Sequence, residues 1–195
     1  VMSSVKYMES KIITIEIDVK NDIKKSYDYI VEKFEVVTEF NLWKAYSEQL
    51  LKGERAPMLD VVDYEKAFYQ YWINSGHNIR KQVNDDKTLL ELLTLFFPKY
   101  TGKSIVLYRG ENLDAYNDKR IGFCWTPNID KAKQFMSSNA FGSGGVLLRC
   151  KCQPDWILSS LSLDEHSRHL GEDEHIVNPF LLSNIEVLDS IASLE

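Results

Sequence analysis

The sequence predicts an α+β fold, with helices in the first half of the chain and strands in the second. Two observations lead to this prediction. Apolar residues recur at helical spacing up to about residue 100, whereas short apolar or alternating runs separated by turn residues follow Lys99. Because helices precede strands rather than alternating with them, a parallel βαβ sheet is disfavoured. A chain of 195 residues is long enough to bury a core. We expect a helical lobe over 1–100 and a strand-rich part over 101–195 within one compact domain.

Four helices are predicted in the first half from apolar spacing and from their start and stop signals. Asn21 or Asp22 can cap the first, and Pro98 ends the last. In chain order the helices run to about 34, over 39–51, over 62–83 and over 87–97. An alternating run at 11–18 precedes them, typical of a strand or an irregular entry segment.

The second half is predicted to hold six strands, one short helix and a glycine-rich turn. The helix covers 128–139, with Ala132, Phe135 and Met136 facing inward. The turn covers 142–145. The predicted strands are 104–108, 121–126, 146–153, 156–159, 174–178 and 185–191.

Charge and cysteine content restrict the classes of function. The net charge of -6 disfavours sequence-independent nucleic-acid binding, which depends on neutralising phosphates. There is no apolar run of membrane-spanning length, and the first residues lack an apolar signal core, so no membrane association is expected. Cys150 and Cys152 would share one face of a strand, and the odd cysteine count of 3 indicates reduced thiols and a cytoplasmic location.

Three short segments carry the residues best suited to chemistry: LYRGE at 107–111, GFCWTPN at 122–128 and GEDEHIVNP at 171–179. Arg109 ends a predicted strand, and its planar guanidinium suits bidentate contact with a phosphate or carboxylate. Gly110 allows a ligand to approach the backbone closely. The alternative for Arg109 is an ordinary surface or salt-bridged side chain.

Glu172 and Glu174 lie two residues apart where the chain enters a predicted strand. Residues at this spacing share a face of a strand, and two neighbouring carboxylates raise the pKa of at least one of them. Such a pair is either a solvated acidic turn or a site that handles a hydroxyl group and a nucleophile.

The ordered set of an arginine at a strand end, a short triplet in a strand and an E-x-E motif entering a strand resembles the Arg–Ser–Glu class of mono-ADP-ribosyltransferases, found among bacterial toxins and phage effectors. The resemblance covers about 105–191. It implies an ADP-ribosyltransferase-like core of two packed, mainly antiparallel β-sheets. It also implies an enzyme that uses NAD as co-substrate, transfers ADP-ribose to a macromolecular acceptor and releases nicotinamide.

The resemblance also implies roles for individual residues. Glu174 would bind the nicotinamide ribose and stabilise the positive charge that develops there, and Glu172 would orient or deprotonate the acceptor. Cys124 occupies the place of the family's first serine, and a thiol is a weaker hydrogen-bond partner. The residues expected to contact NAD are Arg109, Gly110, Tyr108, Cys124, Trp125 and Thr126, with Phe135 or Phe141 stacking on nicotinamide.

The acceptor and two rival functions remain open at this point. The resemblance implies an arginine-type protein acceptor, because the family associates a glutamate at the position of Glu172 with guanidine acceptors. A nucleic-acid base is the alternative acceptor, and a neutralising partner protein is left open. One rival is a metal-dependent hydrolase using His166, His169, Glu172, Glu174 and His175. The other is a degenerate binding module, whose partner surface would be the aromatic residues Tyr64, Phe68, Tyr69, Tyr71 and Trp72, although such spacing is more typical of core.

Overall fold

A computed structural model describes residues 26–53, 61–160 and 173–193. The chain divides into two compact units, Val1–Phe97 and Pro98–Glu195. The first contains helices, and the second contains two small antiparallel sheets with two helices, which confirms the α+β class. The strand predicted at 11–18 and the caps Asn21 and Asp22 lie outside the described residues. None of the helices in the described part of the chain is both long and apolar enough to cross a membrane.

The described part of the first unit contains four α-helices. In chain order they are α1 (Ser26–Glu39), α2 (Trp43–Leu51), α3 (Val61–Val83) and α4 (Asp86–Phe96). Asp85 caps α4, because its carboxylate accepts a hydrogen bond from the backbone N–H of Lys87.

The turn between α1 and α2 differs from the sequence prediction, which began the second helix at Glu39. Asn41 adopts a left-handed conformation with φ 56°. The backbone N–H of Leu42 donates to the carbonyl of Val37, and that of Asn41 donates to Thr38, which is the Schellman pattern of a helix end. Asparagine tolerates this conformation without glycine, so the stop signal was missed.

Aromatic side chains fill the core of the first unit. Phe34 is fully buried and its ring lies 5.4 Å from Trp43 and 6.0 Å from Phe68. Tyr64 and Trp72 are buried as well. The aromatic residues of α3 are therefore mainly core, and the partner surface considered for them has no support here.

The second unit contains six strands, two α-helices and one short 3-10 helix among its described residues. In chain order they are β1 (Ile105–Asn112), α5 (Leu113–Asn117), β2 (Cys124–Trp125), α6 (Ile129–Ser138), β3 (Gly145–Cys152), the 3-10 helix Pro154–Trp156, β4 (Ile157–Ser160), β5 (His175–Val177) and β6 (Glu186–Ile191). Asn128 caps α6 by accepting from the backbone N–H groups of Asp130 and Lys131, and it is one of the two caps, Thr126 or Asn128, that the sequence allows.

Each sheet has three antiparallel strands, in the orders β1-β3-β6 and β2-β5-β4. The sheets share one apolar core that includes Leu107 and Leu148 from the first and Trp125 and Val177 from the second. Helix α6 covers the opposite face of the first sheet, where Ala132 and Met136 pack with Leu147. The sequence of layers is therefore helix, sheet, sheet.

Three local predictions for this unit were wrong. The first strand extends through Arg109 to Asn112, because pairing with β3 continues along the polar residues. The strand predicted at 121–126 contains only Cys124–Trp125, with an isolated bridge at Thr126. Phe135, predicted to face inward, is 46% exposed.

Candidate functional site

Arg109 lies inside β1 and not at its end. Two nitrogens of its guanidinium group donate hydrogen bonds to other residues. Nε donates to Oε2 of Glu111 at 2.7 Å, and Nη1 donates to the backbone carbonyl of Cys124 at 2.6 Å. Arg109 and Glu111 are two residues apart on a strand, so both side chains extend from the same face. The guanidinium is therefore held between its own strand and β2.

Glu111 is a buried carboxylate whose oxygens are surrounded by donors. Its side chain is 7% exposed. Besides Arg109, it accepts hydrogen bonds from the backbone N–H of Gly122 at 2.8 Å and of Asn112 at 3.0 Å. Burial opposes ionisation, but the Arg109 charge and these hydrogen bonds outweigh it and lower the pKa of Glu111. Glu111 is thus an ionised group that ties β1 to the chain before β2.

Gly122 is the surface against which the guanidinium packs. A Cβ atom at this position would lie 2.1 Å from Nη2 and 2.3 Å from Cζ of Arg109. A side chain at position 122 is therefore incompatible with the observed place of Arg109. The absence of a side chain, rather than an unusual φ, is what this glycine contributes.

Strand β2 lies between β1 and β5 and brings the predicted triplet beside both. Thr126 exchanges backbone hydrogen bonds with Tyr108 at 2.7 and 2.9 Å. On the other side, Cys124 is opposite Ile176 and Trp125 is opposite His175. The chain at 124–126 is therefore in direct contact with the strand that carries Arg109.

Glu174 directly precedes β5 and is half-buried. One further step of the β2–β5 register would bring it opposite Thr126, on the face that Cys124 and Ile176 share. Its charge also reaches Arg109. Burial lowers the pKa of Arg109, but Glu111 first and Glu174 less strongly raise it, with a net increase. Arg109 thus contacts the 124–126 segment, and Glu174 precedes the strand that pairs with that segment on its other side.

Two residues predicted to contact a ligand have their side-chain space occupied by protein. A Cβ on Gly110 would lie 2.0 Å from the backbone nitrogen of Met136 and 2.1 Å from the backbone oxygen of Ala132. The close approach that this glycine allows is that of α6, not of a ligand. Trp125 is 1% exposed and its indole N–H donates to the carbonyl of Gly122. Trp125 is therefore a core residue and does not present its side chain to a ligand.

The three remaining aromatic candidates lie near α6. Tyr108 is half-buried and packs against Ala132, Met136 and Leu147. Phe135, on α6, and Phe141, after it, are 46% and 63% exposed. Both phenylalanine rings are accessible, and the stacking role of either one stays a prediction.

The acidic and histidine cluster is only partly described. Glu172, His166 and His169 lie outside the described residues. His175 is 5% exposed, and burial lowers its pKa despite the nearby carbonyl of Asp173. Within 26–53, 61–160 and 173–193, no three His, Cys, Asp or Glu side chains are grouped as a metal site. The metal-dependent alternative thus stays a prediction.

Sequence reasoning missed Glu111 and Gly122 as parts of this site. The R-x-E spacing of Arg109 and Glu111 carried a signal, since i and i+2 share a face if the strand continues. Because the predicted strand ended at residue 108, this shared face was not recognised. Nothing in the sequence around Gly122 indicates that this glycine packs against the guanidinium of Arg109, thirteen residues earlier.

No protein-family model, curated protein or solved structure matches the chain.

Proposed function

We propose that this chain is a mono-ADP-ribosyltransferase that transfers ADP-ribose from NAD to a macromolecular acceptor and releases nicotinamide. The observation that supports it most strongly is the proximity of three elements distant in sequence: Arg109, the 124–126 segment and Glu174. These are the three anchors of the Arg–Ser–Glu resemblance. The proposal extends to an ADP-ribosyltransferase-like arrangement of the two sheets.

Arg109 is proposed to bind the NAD diphosphate. Its side chain is 17% exposed. Among the described residues, Nη2 makes no hydrogen bond, which leaves donors for a phosphate oxygen. Charge-assisted bonds from arginine to phosphate are among the stronger polar contacts.

Glu174 is proposed to stabilise the positive charge that develops on the ribose as nicotinamide leaves. A fixed carboxylate favours that charge in the transition state more than in the ground state, which accelerates the bond-breaking step. Cys124 lies on the same face by register, where a hydrogen-bonding side chain would support the carboxylate. Glu172, outside the described residues, is proposed to orient the acceptor.

A transfer assay with labelled NAD tests the proposal. Wild-type protein incubated with a cell lysate should label a macromolecular fraction, and Glu174→Gln should lower labelling by about 100-fold or more, as for loss of one major transition-state contact. Glu186→Gln is the matched control, because it removes a carboxylate from the exposed ion pair with Arg149 in the same unit. Equal labelling by wild-type protein and folded Glu174→Gln would contradict the assigned role.

The same assay distinguishes the acceptor class. We expect the label to be sensitive to protease, because a net charge of -6 gives no general attraction to nucleic acid. Sensitivity to nuclease instead would identify a nucleic-acid base as acceptor. Absence of both transfer and slow NAD hydrolysis in the wild-type protein would refute the enzymatic proposal and favour a binding module.

Activity in the presence of a chelator distinguishes the proposed transferase from the metal-dependent hydrolase. Transfer should continue in the presence of EDTA, since none of the proposed roles needs a metal ion. Loss of activity on chelation and its recovery with zinc would favour the metal-dependent alternative.

A further inference from the structure

We infer that Glu111 is the positioning residue that holds the Arg109 guanidinium in its ligand-binding orientation. The inference rests on the proposed function, because it assumes that Arg109 receives the NAD diphosphate. It adds a residue that neither the motif pattern nor the resemblance assigns.

The contacts of Glu111 define one place for the guanidinium. Oε2 accepts from Arg109 Nε at 2.7 Å and from the backbone N–H of Gly122 at 2.8 Å. Oε1 accepts from the backbone N–H of Asn112 at 3.0 Å. Because two backbone donors fix the carboxylate, the carboxylate in turn fixes a side chain that otherwise has many rotamers.

The opposite side of the guanidinium is limited by the backbone. Nη1 donates to the carbonyl of Cys124 at 2.6 Å, and the guanidinium lies in the space that a Cβ atom at position 122 would fill. Nε and Nη1 are therefore occupied before any ligand arrives. These two contacts fix the position of the remaining donors on Nη2, which avoids part of the ordering cost of binding.

Glu111 acts through Arg109 and does not contact the ligand itself. Its side chain is 7% exposed, whereas that of Arg109 is 17% exposed. A carboxylate would also repel a diphosphate. The benefit of Glu111 to binding must therefore be geometric, since its charge alone is unfavourable for an anionic ligand.

This opposition between charge and geometry yields a sharp test with Glu111→Gln. Removing one negative charge makes the site more positive, so electrostatics alone predicts a lower KM for NAD. Loss of the Arg109 position predicts a higher KM for NAD. We expect KM for NAD to rise about tenfold, as for loss of a well-placed charged hydrogen bond, while kcat falls less than KM rises. The exposed pair Arg149–Glu186 supplies the control Glu186→Gln, which should leave KM unchanged.

A readout that does not require activity separates this inference from the proposed function. In an NMR spectrum of arginine Nε–H groups, the Arg109 signal should be protected from exchange in wild-type protein. It should shift and lose protection in Glu111→Gln, but not in Glu186→Gln. If Glu111→Gln does not fold, Glu111→Asp is measured instead, because it keeps the charge but shortens the reach to Nε.

The outcomes are distinct. An unchanged Arg109 signal, or an unchanged or lower KM, in a folded Glu111 variant overturns the positioning role. Wild-type protein that shows the protected signal, loses it in the variant and has no NAD chemistry overturns the proposed function, while the geometry of the Arg109–Glu111 pair is supported.

Discussion

At the residue scale, the central feature is a buried Arg109–Glu111 ion pair enclosed by backbone groups. Burial of such a pair is weak evidence for stability, because desolvation opposes the mutual attraction. Removing one partner is costly, because the other charge is left buried without compensation. The pair is better explained by the fixed geometry that it imposes on a guanidinium beside the backbone of Cys124.

Gly122→Ala tests the packing of that guanidinium. The added Cβ would lie 2.1 Å from Nη2 of Arg109, so either the backbone or Arg109 must move. We expect the free energy of unfolding to fall by about 1–3 kcal/mol, as in other overpacked sites. Urea unfolding measures it.

The double variant Arg109→Ala/Gly122→Ala is the control for this prediction. Without the guanidinium the alanine has no clash at that atom, so the extra cost of Gly122→Ala should largely disappear. An equal cost in both backgrounds would mean that another contact, and not Arg109, excludes a side chain at position 122.

At the element scale, the close approach of α6 to β1 determines how the second unit is built. Gly110 removes the side chain where the backbone of Ala132 and Met136 meets the strand. Asn139 also donates its side-chain N–H to the carbonyl of Gly110 at 3.1 Å, which connects the end of α6 to the strand. The strand that carries Arg109 is thereby held against the helix on its other face.

Gly110→Ala should be more damaging than Gly122→Ala. Its Cβ would lie 2.0 Å from a backbone nitrogen, and a helix backbone cannot yield as a flexible side chain does. We expect a loss of roughly 3 kcal/mol or more in the free energy of unfolding, at the upper end for overpacking. Denaturant unfolding measures it.

Gly102→Ala is the control, because the three atoms nearest to its Cβ all belong to the side chain of Tyr100, the hydroxyl oxygen being nearest at 2.2 Å, and none to a backbone. This variant should cost less than about 1 kcal/mol, as for most surface substitutions. A Gly110→Ala variant as stable as Gly102→Ala would show that α6 can shift away from β1.

At the scale of the whole molecule, the stability of the second unit should depend on pH through two buried groups. The pKa of Glu111 lies below its ordinary value of 4.5, because Arg109 and the backbone donors outweigh burial. The pKa of His175 lies below 6.5, because burial disfavours its charged form. For each group, the unfolded state binds more protons than the folded state at pH values between the folded-state pKa and the unfolded-state pKa. The free energy of unfolding therefore rises with pH in that range.

The free energy of unfolding should therefore decline as pH falls below 6.5, and decline further below 4.5. His175→Phe should flatten the first decline, and Glu111→Gln should flatten the second. Urea unfolding at a series of pH values, followed in parallel for the wild-type protein and both variants, measures these differences. If the free energy of unfolding of a variant declined with pH as steeply as that of the wild-type protein, the replaced group would not be the one that titrates. The comparison is made below pH 6.5 for His175→Phe and below pH 4.5 for Glu111→Gln.

Several features of this protein follow from local sequence alone. The α+β order and helix α6, with Asn128 as one of its two candidate caps, were predicted from spacing and capping residues. The aromatic spacing of α3 was more typical of core than of a partner surface, and most of these side chains are buried. Local signals suffice there because helix periodicity and N-caps depend on residues within one or two turns. The grouping of Arg109, 124–126 and Glu174 followed from motif order combined with a family resemblance.

Only the tertiary structure determines which contacts those residues make. Pairing with β3 extended the first strand through Arg109 and Glu111, and this placed the two side chains on one face. The approach of α6 explains Gly110, and the guanidinium of Arg109 explains Gly122. These contacts join segments that are distant along the chain, so no local propensity encodes them. The physical reason is that burial and close packing act between elements, after each element has formed.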